Sequence, residues 1–180
     1  IVAHYGKKFD FPMLNARFIT NGLEPPSPYK VADTKDMASR NFKFEGNSLK
    51  ELADHLDLEI NKKDMAFKDW RNCVEGLGTK EGWKKMVDYN EYDVWTLEAL
   101  YLKLRPWANN HPNTAIFYED AVPTKRCTVC GSKVLKKQRG NAYTMLSQFE
   151  TYRCECGHVQ RTRQNLRSKE AMKETLINAV

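Results

Sequence analysis

Tyr89 and Asp93 stand four residues apart in Tyr89-Asn90-Glu91-Tyr92-Asp93, at the head of an apolar-faced run that continues to Leu102. On a helix that spacing puts both side chains on one face. A carboxylate beside a phenol can hold a divalent metal and orient the water that attacks a phosphate. Asp10 is the obvious second carboxylate. Four cysteines form a separate set, Cys127 with Cys130 and Cys154 with Cys156, the two pairs separated by 23 residues. Thiolates from two tight turns can surround one zinc ion tetrahedrally, and four protein ligands leave no position for water, so such a site is closed and structural. A glycine follows each pair, Gly131 and Gly157, and permits the backbone such a turn needs. Cys154-Glu155-Cys156 is one residue tighter than the first pair. That leaves His158 open as a substitute ligand, with Cys156 preferred.

These residues must be carried by particular elements. Val2-Ala3-His4-Tyr5 reads as the end of a strand and Gly6-Lys7-Lys8 as a turn. Asp10 is placed to cap a helix from about Phe11 to Thr20, with Leu14 and Phe18 on its buried face, Met13 beside them, and Gly22 just past its end. Three prolines from Pro25 mark a loop. Tyr29 to Ala32 suits a short strand ending at Asp33-Thr34, where Asp33 caps a short following helix through Met37-Ala38. Ser48-Leu49-Lys50-Glu51 is a capping box ahead of Leu49, Leu52, Ala53 and Leu56 at helical spacing. Residues 61–80 read as polar and loop-rich with Trp70 as an anchor. Helical character runs, with a break, from about Glu81 to Leu104, and Pro106 stops it. Asn109 to Asn113 reads as a linker. Beyond it, short β-type runs at Lys133–Lys136 and Tyr143–Tyr152 replace helices.

Charge divides the chain at the same place. Residues 1–120 carry 17 basic and 19 acidic side chains, residues 121–180 carry 12 and 4, and the whole is +6. A polyanion partner, most simply nucleic acid, belongs with the basic part. Lys136, Lys137, Arg139, Arg153, Arg161, Arg163 and Arg167 surround the cysteines, with Tyr143, Phe149 and Tyr152 interleaved. The basic residues are expected to contact nucleic acid and the aromatics to fill a small core. No run approaches a membrane span, and Ile1-Val2-Ala3-His4 is not a signal peptide. Clustered cysteines without a secretory signal favour metal over disulfides, in an intracellular, cytoplasmic, reducing compartment. Cys73, alone, reads as a small packed residue.

The stretch from His4 through Phe9-Asp10-Phe11 to Arg17 resembles the second motif of the DEDD 3′–5′ exonucleases, which have a ribonuclease H-like fold. Tyr89 with Asp93 resembles their third motif in its tyrosine form. Asp33-Thr34, Ser48-Leu49 and Trp70 follow in the family order, so the resemblance covers roughly residues 1–105. It implies that Asp10 and Asp93 bind Mg²⁺ or Mn²⁺ while Tyr89 orients the attacking water. Two departures stand out. Tyr5 occupies a position where related motifs have Asn after the His. The first motif, an Asp-x-Glu on the first strand, is missing, and Asp57-Leu58-Glu59 comes too late in the chain to serve for it. The cysteine-bearing part resembles a zinc ribbon.

The expected fold class is α/β, a partial ribonuclease H-like exonuclease domain with its first strands missing, followed by a small β-rich zinc ribbon. The expected boundaries are 1–108 for the exonuclease part, 109–122 for a linker, 123–168 for the ribbon and 169–180 for a tail or helix. The opening at Ile1 reads as a cut edge and the chain alone as inactive. The implied function is two-metal hydrolysis of a nucleic acid, DNA or RNA, from a single-stranded 3′ end. A replication or repair assembly is a conceivable setting, and no membrane is involved. The alternatives are a non-catalytic zinc-ribbon binder of nucleic acid and a ribonuclease H-like endonuclease.

Overall fold

The computed structural model describes residues 1–59, 65–120 and 122–178. They belong to two compact units, Ile1–Asn110 and His111–Val180. In the first, β1 (Val2–Ala3) pairs in parallel with β2 (Ala32–Asp33), Val2 opposite Ala32 and Ala3 opposite Asp33. Parallel strands need a crossover, and α1 (Asp10–Thr20) lies in it. The chain turns into α1 through Tyr5–Phe9, where the Tyr5 carbonyl accepts from the amides of Lys8 and Phe9. Gly6 has to be glycine: a Cβ there would lie 2.6 Å from the Cβ of Ala3 and 3.0 Å from the Phe11 ring. Gly22 ends α1 at φ +67°, and the amide of Leu23 reaches back to the Phe18 carbonyl at 2.9 Å.

α1 differs from expectation in two ways. Phe9, not Asp10, is the residue ahead of the helix, and it supplies no side-chain cap. Asp10 is the first helical residue and its carboxylate is exposed. The helix also buries nothing: Met13 and Leu14 are half exposed and Ile19 is 80% exposed. The loop after the helix covers part of that face, with the Tyr29 ring 5.3 Å from that of Phe11, and leaves the rest exposed.

Helix α2 (Thr34–Asn41) starts directly off β2, and α3 (Leu49–His55) carries the capping box, Ser48 accepting from the Glu51 amide and Glu51 from the Ser48 amide. Both pack on α5 (Lys80–Leu104), and the core lies between them, with Met37, Leu52, Leu100 and Leu104 almost fully buried. α5 is a single unbroken helix of 25 residues, capped by Thr79. Thr96, Leu100 and Leu104 repeat every four residues, so the stripe facing α2 and α3 is continuous and nothing interrupts the ladder. The α-helix ends at Leu104, as Pro106 leads one to expect, and the chain then tightens into a 3₁₀ turn, Arg105–Trp107.

Residues 61–80 were expected to be a loop. Residues 61–64 lie outside the described residues, but Phe67–Val74 is helix α4. Its inward residue is Cys73, 4% exposed, while Trp70 is 46% exposed. Polar composition hid a helix whose single buried side chain is small.

The second unit is built on an antiparallel sheet of β3 (Leu135–Tyr143), β4 (Gln148–Cys154) and β5 (Val159–Arg161), with β4 in the centre. The run Tyr143–Tyr152 is therefore not one strand: residues 144–147 form the hairpin loop, closed by the Thr144 amide donating to the Ser147 carbonyl. A short helix, α6 (Lys169–Lys173), follows and is capped by Ser168. No described helix is long and apolar enough to cross a membrane.

Candidate metal and nuclease sites

The ends of β1 and β2 meet at Asp33, which is 2% exposed. Its carboxylate caps α2 by accepting from the amides of Lys35 and Asp36, and it also accepts from the amides of Tyr5 and Lys7. One buried side chain thus fixes both the start of α2 and the turn that leads to Asp10. Tyr5 holds a left-handed backbone at φ +64°, and its ring takes the Lys35 ammonium 4.1 Å from its centroid. His4 is tied to Thr34 Oγ1 at 2.9 Å and to the Asn47 carbonyl at 3.0 Å, a structural role joining β1 to α2 and the α3 entry.

Tyr89 and Asp93 sit one turn apart on α5, both partly buried. Asp10 opens α1 in solvent. The structure does not gather Asp10 and Asp93 with a third ligand; among the described residues one group of three or more such donors converges, and it is the cysteines. Two carboxylates are hard oxygen donors suited to Mg²⁺ or Mn²⁺, but two do not complete a six-coordinate shell. Asp57-Leu58-Glu59 does not supply the rest. It forms a turn after α3, with Asp57 at φ +47° and Leu58 buried, and it is not part of a strand.

Cys127, Cys130, Cys154 and Cys156 have their sulfurs within 4.8 Å of one another and could hold a metal ion. The Cys127–Cys156 sulfurs are 3.7 Å apart and the Cys130–Cys154 sulfurs 3.5 Å. Disulfide sulfurs would be bonded at about 2.05 Å. Ligands of a tetrahedral zinc at about 2.3 Å lie about 3.8 Å from one another, so the cluster already has the size of that shell. Cys156, not His158, is the fourth member. Burial pushes the thiols of Cys154 and Cys156 upward. Cys130 shifts the other way: against its burial, the Ser132 amide and the neighbouring sulfurs draw it down.

Four residues that were not singled out in the sequence brace this cluster. Arg126 makes a two-pronged contact with Asp120, 2.7 Å on each prong, and donates to the Gly131 carbonyl at 2.8 Å. Lys133 joins Asp120 at 2.8 Å. The Arg126 guanidinium, with Lys133, holds the Asp120 carboxyl far below the usual carboxylate range. Gln160 accepts from the Thr128 amide at 2.8 Å and so ties β5 to the first cysteine turn. A charged triplet and a strand glutamine carry no motif; the Cys127–Cys130 spacing and Gly131 pointed to this turn, not to what braces it.

The family model described as the RNase H superfamily matches residues 1–105. Neither the curated proteins nor the solved structures gave a match.

Proposed function

The chain belongs to the RNase H superfamily, and from that premise we propose that it carries part of a 3′–5′ exonuclease site of the DEDD type in its tyrosine form. Membership implies a nucleic-acid substrate and nuclease-type hydrolysis. The observation that carries the finer reading is Tyr89 and Asp93 one turn apart on α5, inside the matched region, with Asp10 in the first turn of α1. Asp10 and Asp93 are the proposed ligands of Mg²⁺ or Mn²⁺, and the Tyr89 hydroxyl is proposed to orient water toward the phosphate. The metal, when bound, stabilises charge on the phosphate oxygens. Asp33 acts earlier, fixing the turn that aims Asp10.

The ligand set is incomplete, and a strand bearing an Asp-x-Glu is the proposed remainder. Two exposed features support this. Within the described residues β1 pairs only with β2, leaving its other edge open. The apolar side of α1 is partly uncovered, and in α/β proteins such a helix normally covers a sheet. The cysteine unit is proposed to be a zinc ribbon that retains the strand, working in a reducing compartment where its thiols stay open to metal. The proposed division is 1–108, linker 109–122, ribbon 123–168.

The test uses 3′-labelled single strands with Mn²⁺, the chain alone, and a version extended ahead of Ile1 by a strand bearing Asp-x-Glu. Stepwise loss from the 3′ end in the extended version, reduced at least about 100-fold by Asp93→Asn, is expected. Tight binding without cleavage in either version would leave a non-catalytic binder. Cleavage of strands with blocked 3′ ends would make it an endonuclease.

A further inference from the structure

The register of the β3–β4–β5 sheet sorts the basic side chains of the second unit. Residues directly opposite on antiparallel strands point to the same face. Leu135 faces Cys154, Lys137 faces Tyr152, and Tyr152 faces Gln160. That face looks toward the cysteine cluster, against which Leu135 packs, and Gln160 bonds the first cysteine turn. Its charges are consumed locally. Lys137 is bonded to Glu150, Tyr152 donates to Glu150 at 2.9 Å, and Lys125 bonds the Tyr152 hydroxyl at 2.8 Å while lying over its ring.

The opposite face is different. Lys136 faces Arg153, Arg153 faces Val159, and Thr151 faces Arg161. Lys136, Arg153 and Arg161 are exposed, and among the described residues none of them is ion-paired with a carboxylate. No acidic residue occupies this face in the paired register. Arg161 is held in place by the Phe149 ring, 4.0 Å beneath its guanidinium, and Arg153 donates to the Gly157 carbonyl at 3.1 Å. Neither contact neutralises charge. Phe149 is buried under Arg161, and Tyr152 is on the other face, so this surface offers cations and the Thr151 hydroxyl without a ring on which a base could stack.

We infer that the Lys136–Arg153–Arg161 face of the sheet is a docking surface for the sugar–phosphate backbone of a single-stranded nucleic acid, and that Lys137 takes no part in it. The inference rests on the nucleic-acid reading proposed above and adds the side of the ribbon and the mode of contact. Charge complementarity selects the occupant: three unneutralised cations on one flat face suit a phosphodiester chain. A single strand can lay its phosphates along these cations without offering a groove, and it is the form of substrate that the exonuclease reading supplies. Binding through this face is therefore independent of base sequence.

The experiment compares Lys136→Gln/Arg153→Gln/Arg161→Gln with Lys125→Gln/Lys137→Gln in the full chain with its zinc. Anisotropy of a labelled 20-nucleotide oligothymidylate is followed from 50 to 200 mM salt without added Mg²⁺ or Mn²⁺. Each phosphate contact on a single strand contributes about 0.7 to the log–log salt slope. The open-face variant should lose about 2 from that slope, so its affinity falls about 20-fold less than wild type over this range. The inner-face variant should keep the wild-type slope. Lys136→Gln against Lys137→Gln repeats the comparison with one identical change on adjacent residues, leaving Arg161 on Phe149, and zinc content measured on each protein confirms the fold. Equal losses from both faces, absence of binding by the wild type, or tighter binding of a matched duplex would each overturn the inference. Because no cleavage is read, a chain that binds through this face yet never hydrolyses would refute only the exonuclease proposal. One that hydrolyses with an unchanged salt slope in the variant would refute only the face.

Discussion

At Tyr5 a bulky aromatic sits in the left-handed region at φ +64°. That conformation costs an ordinary L-residue about 1–2 kcal/mol, is tolerated by Asn, and is an outlier for a β-branched side chain. The resemblance to the exonuclease motif has Asn at this place, and the backbone supplies a reason that needs no substrate contact. Tyr5→Asn should relieve that strain but give up the ring contact with Lys35, leaving thermal stability within about 0.5 kcal/mol of wild type, whereas Tyr5→Val loses the contact and keeps the strain and should lose about 1–2 kcal/mol; equal melting temperatures for the two would disprove the strain. Asp33 is the more consequential neighbour. Removing its carboxylate strands four amides in a buried site, so Asp33→Ala should cost about 2–4 kcal/mol in chemical denaturation, with Asn retaining part of it. The capping role of Asp33 was legible from Asp-Thr ahead of a helix, but its hold on Tyr5 and Lys7 was not. Those bonds cross about thirty residues of chain, and only the parallel pairing of β1 with β2 brings them together.

Elements were legible where a local signal fixed them. The capping box announced α3, and Gly22 announced the end of α1. Burial was less so: Leu14 and Phe18 have helical spacing, which says that a helix has an apolar face and not that anything covers it. The strands of the second unit were misplaced because their alternation is polar on both sides, leaving the hairpin loop at 144–147 without a composition cue. The first cysteine turn gives a sharper test. Gly131 lies at φ +76°, and a Cβ there would come within 2.2 Å of the Tyr118 ring, which itself lies under the Arg126 guanidinium at 4.3 Å. Gly131→Ala should therefore destabilise the turn by at least about 2 kcal/mol, read as weaker zinc retention against a chelator. Tyr118→Ala should recover the steric share and leave the backbone share. A double variant no better than Gly131→Ala alone would show that the ring is not what the Cβ meets.

On the scale of the whole chain, the charge boundary near residue 120 and the cysteine spacing both pointed to a separate C-terminal unit, and the two units have cores of their own. Those cores are unequal. The first packs α2, α3 and α5 around Met37, Leu52, Leu100 and Leu104; the second has Val129 and Leu135 around four sulfurs. A core that small does not offset the conformational entropy of its chain without a crosslink or metal. If the cysteines hold the proposed zinc, its binding is folding free energy for the second unit, of the order of 10 kcal/mol in small zinc domains. Chelation should abolish amide protection in β3, β4 and β5 while leaving α3 and α5 protected in hydrogen exchange. The pH dependence has a definite sign. Burial raises the thiols of Cys154 and Cys156 above their ordinary value, and a ligating sulfur must give up its proton, so protons compete with the metal more strongly as pH falls. Zinc should leave more readily at pH 5.5 than at pH 8, with the β-sheet unfolding in step with its release. A sheet that stays protected after the metal is stripped would mean that the Asp120–Arg126–Lys133 brace and the apolar contacts suffice, and that the cysteines are not what holds this unit together.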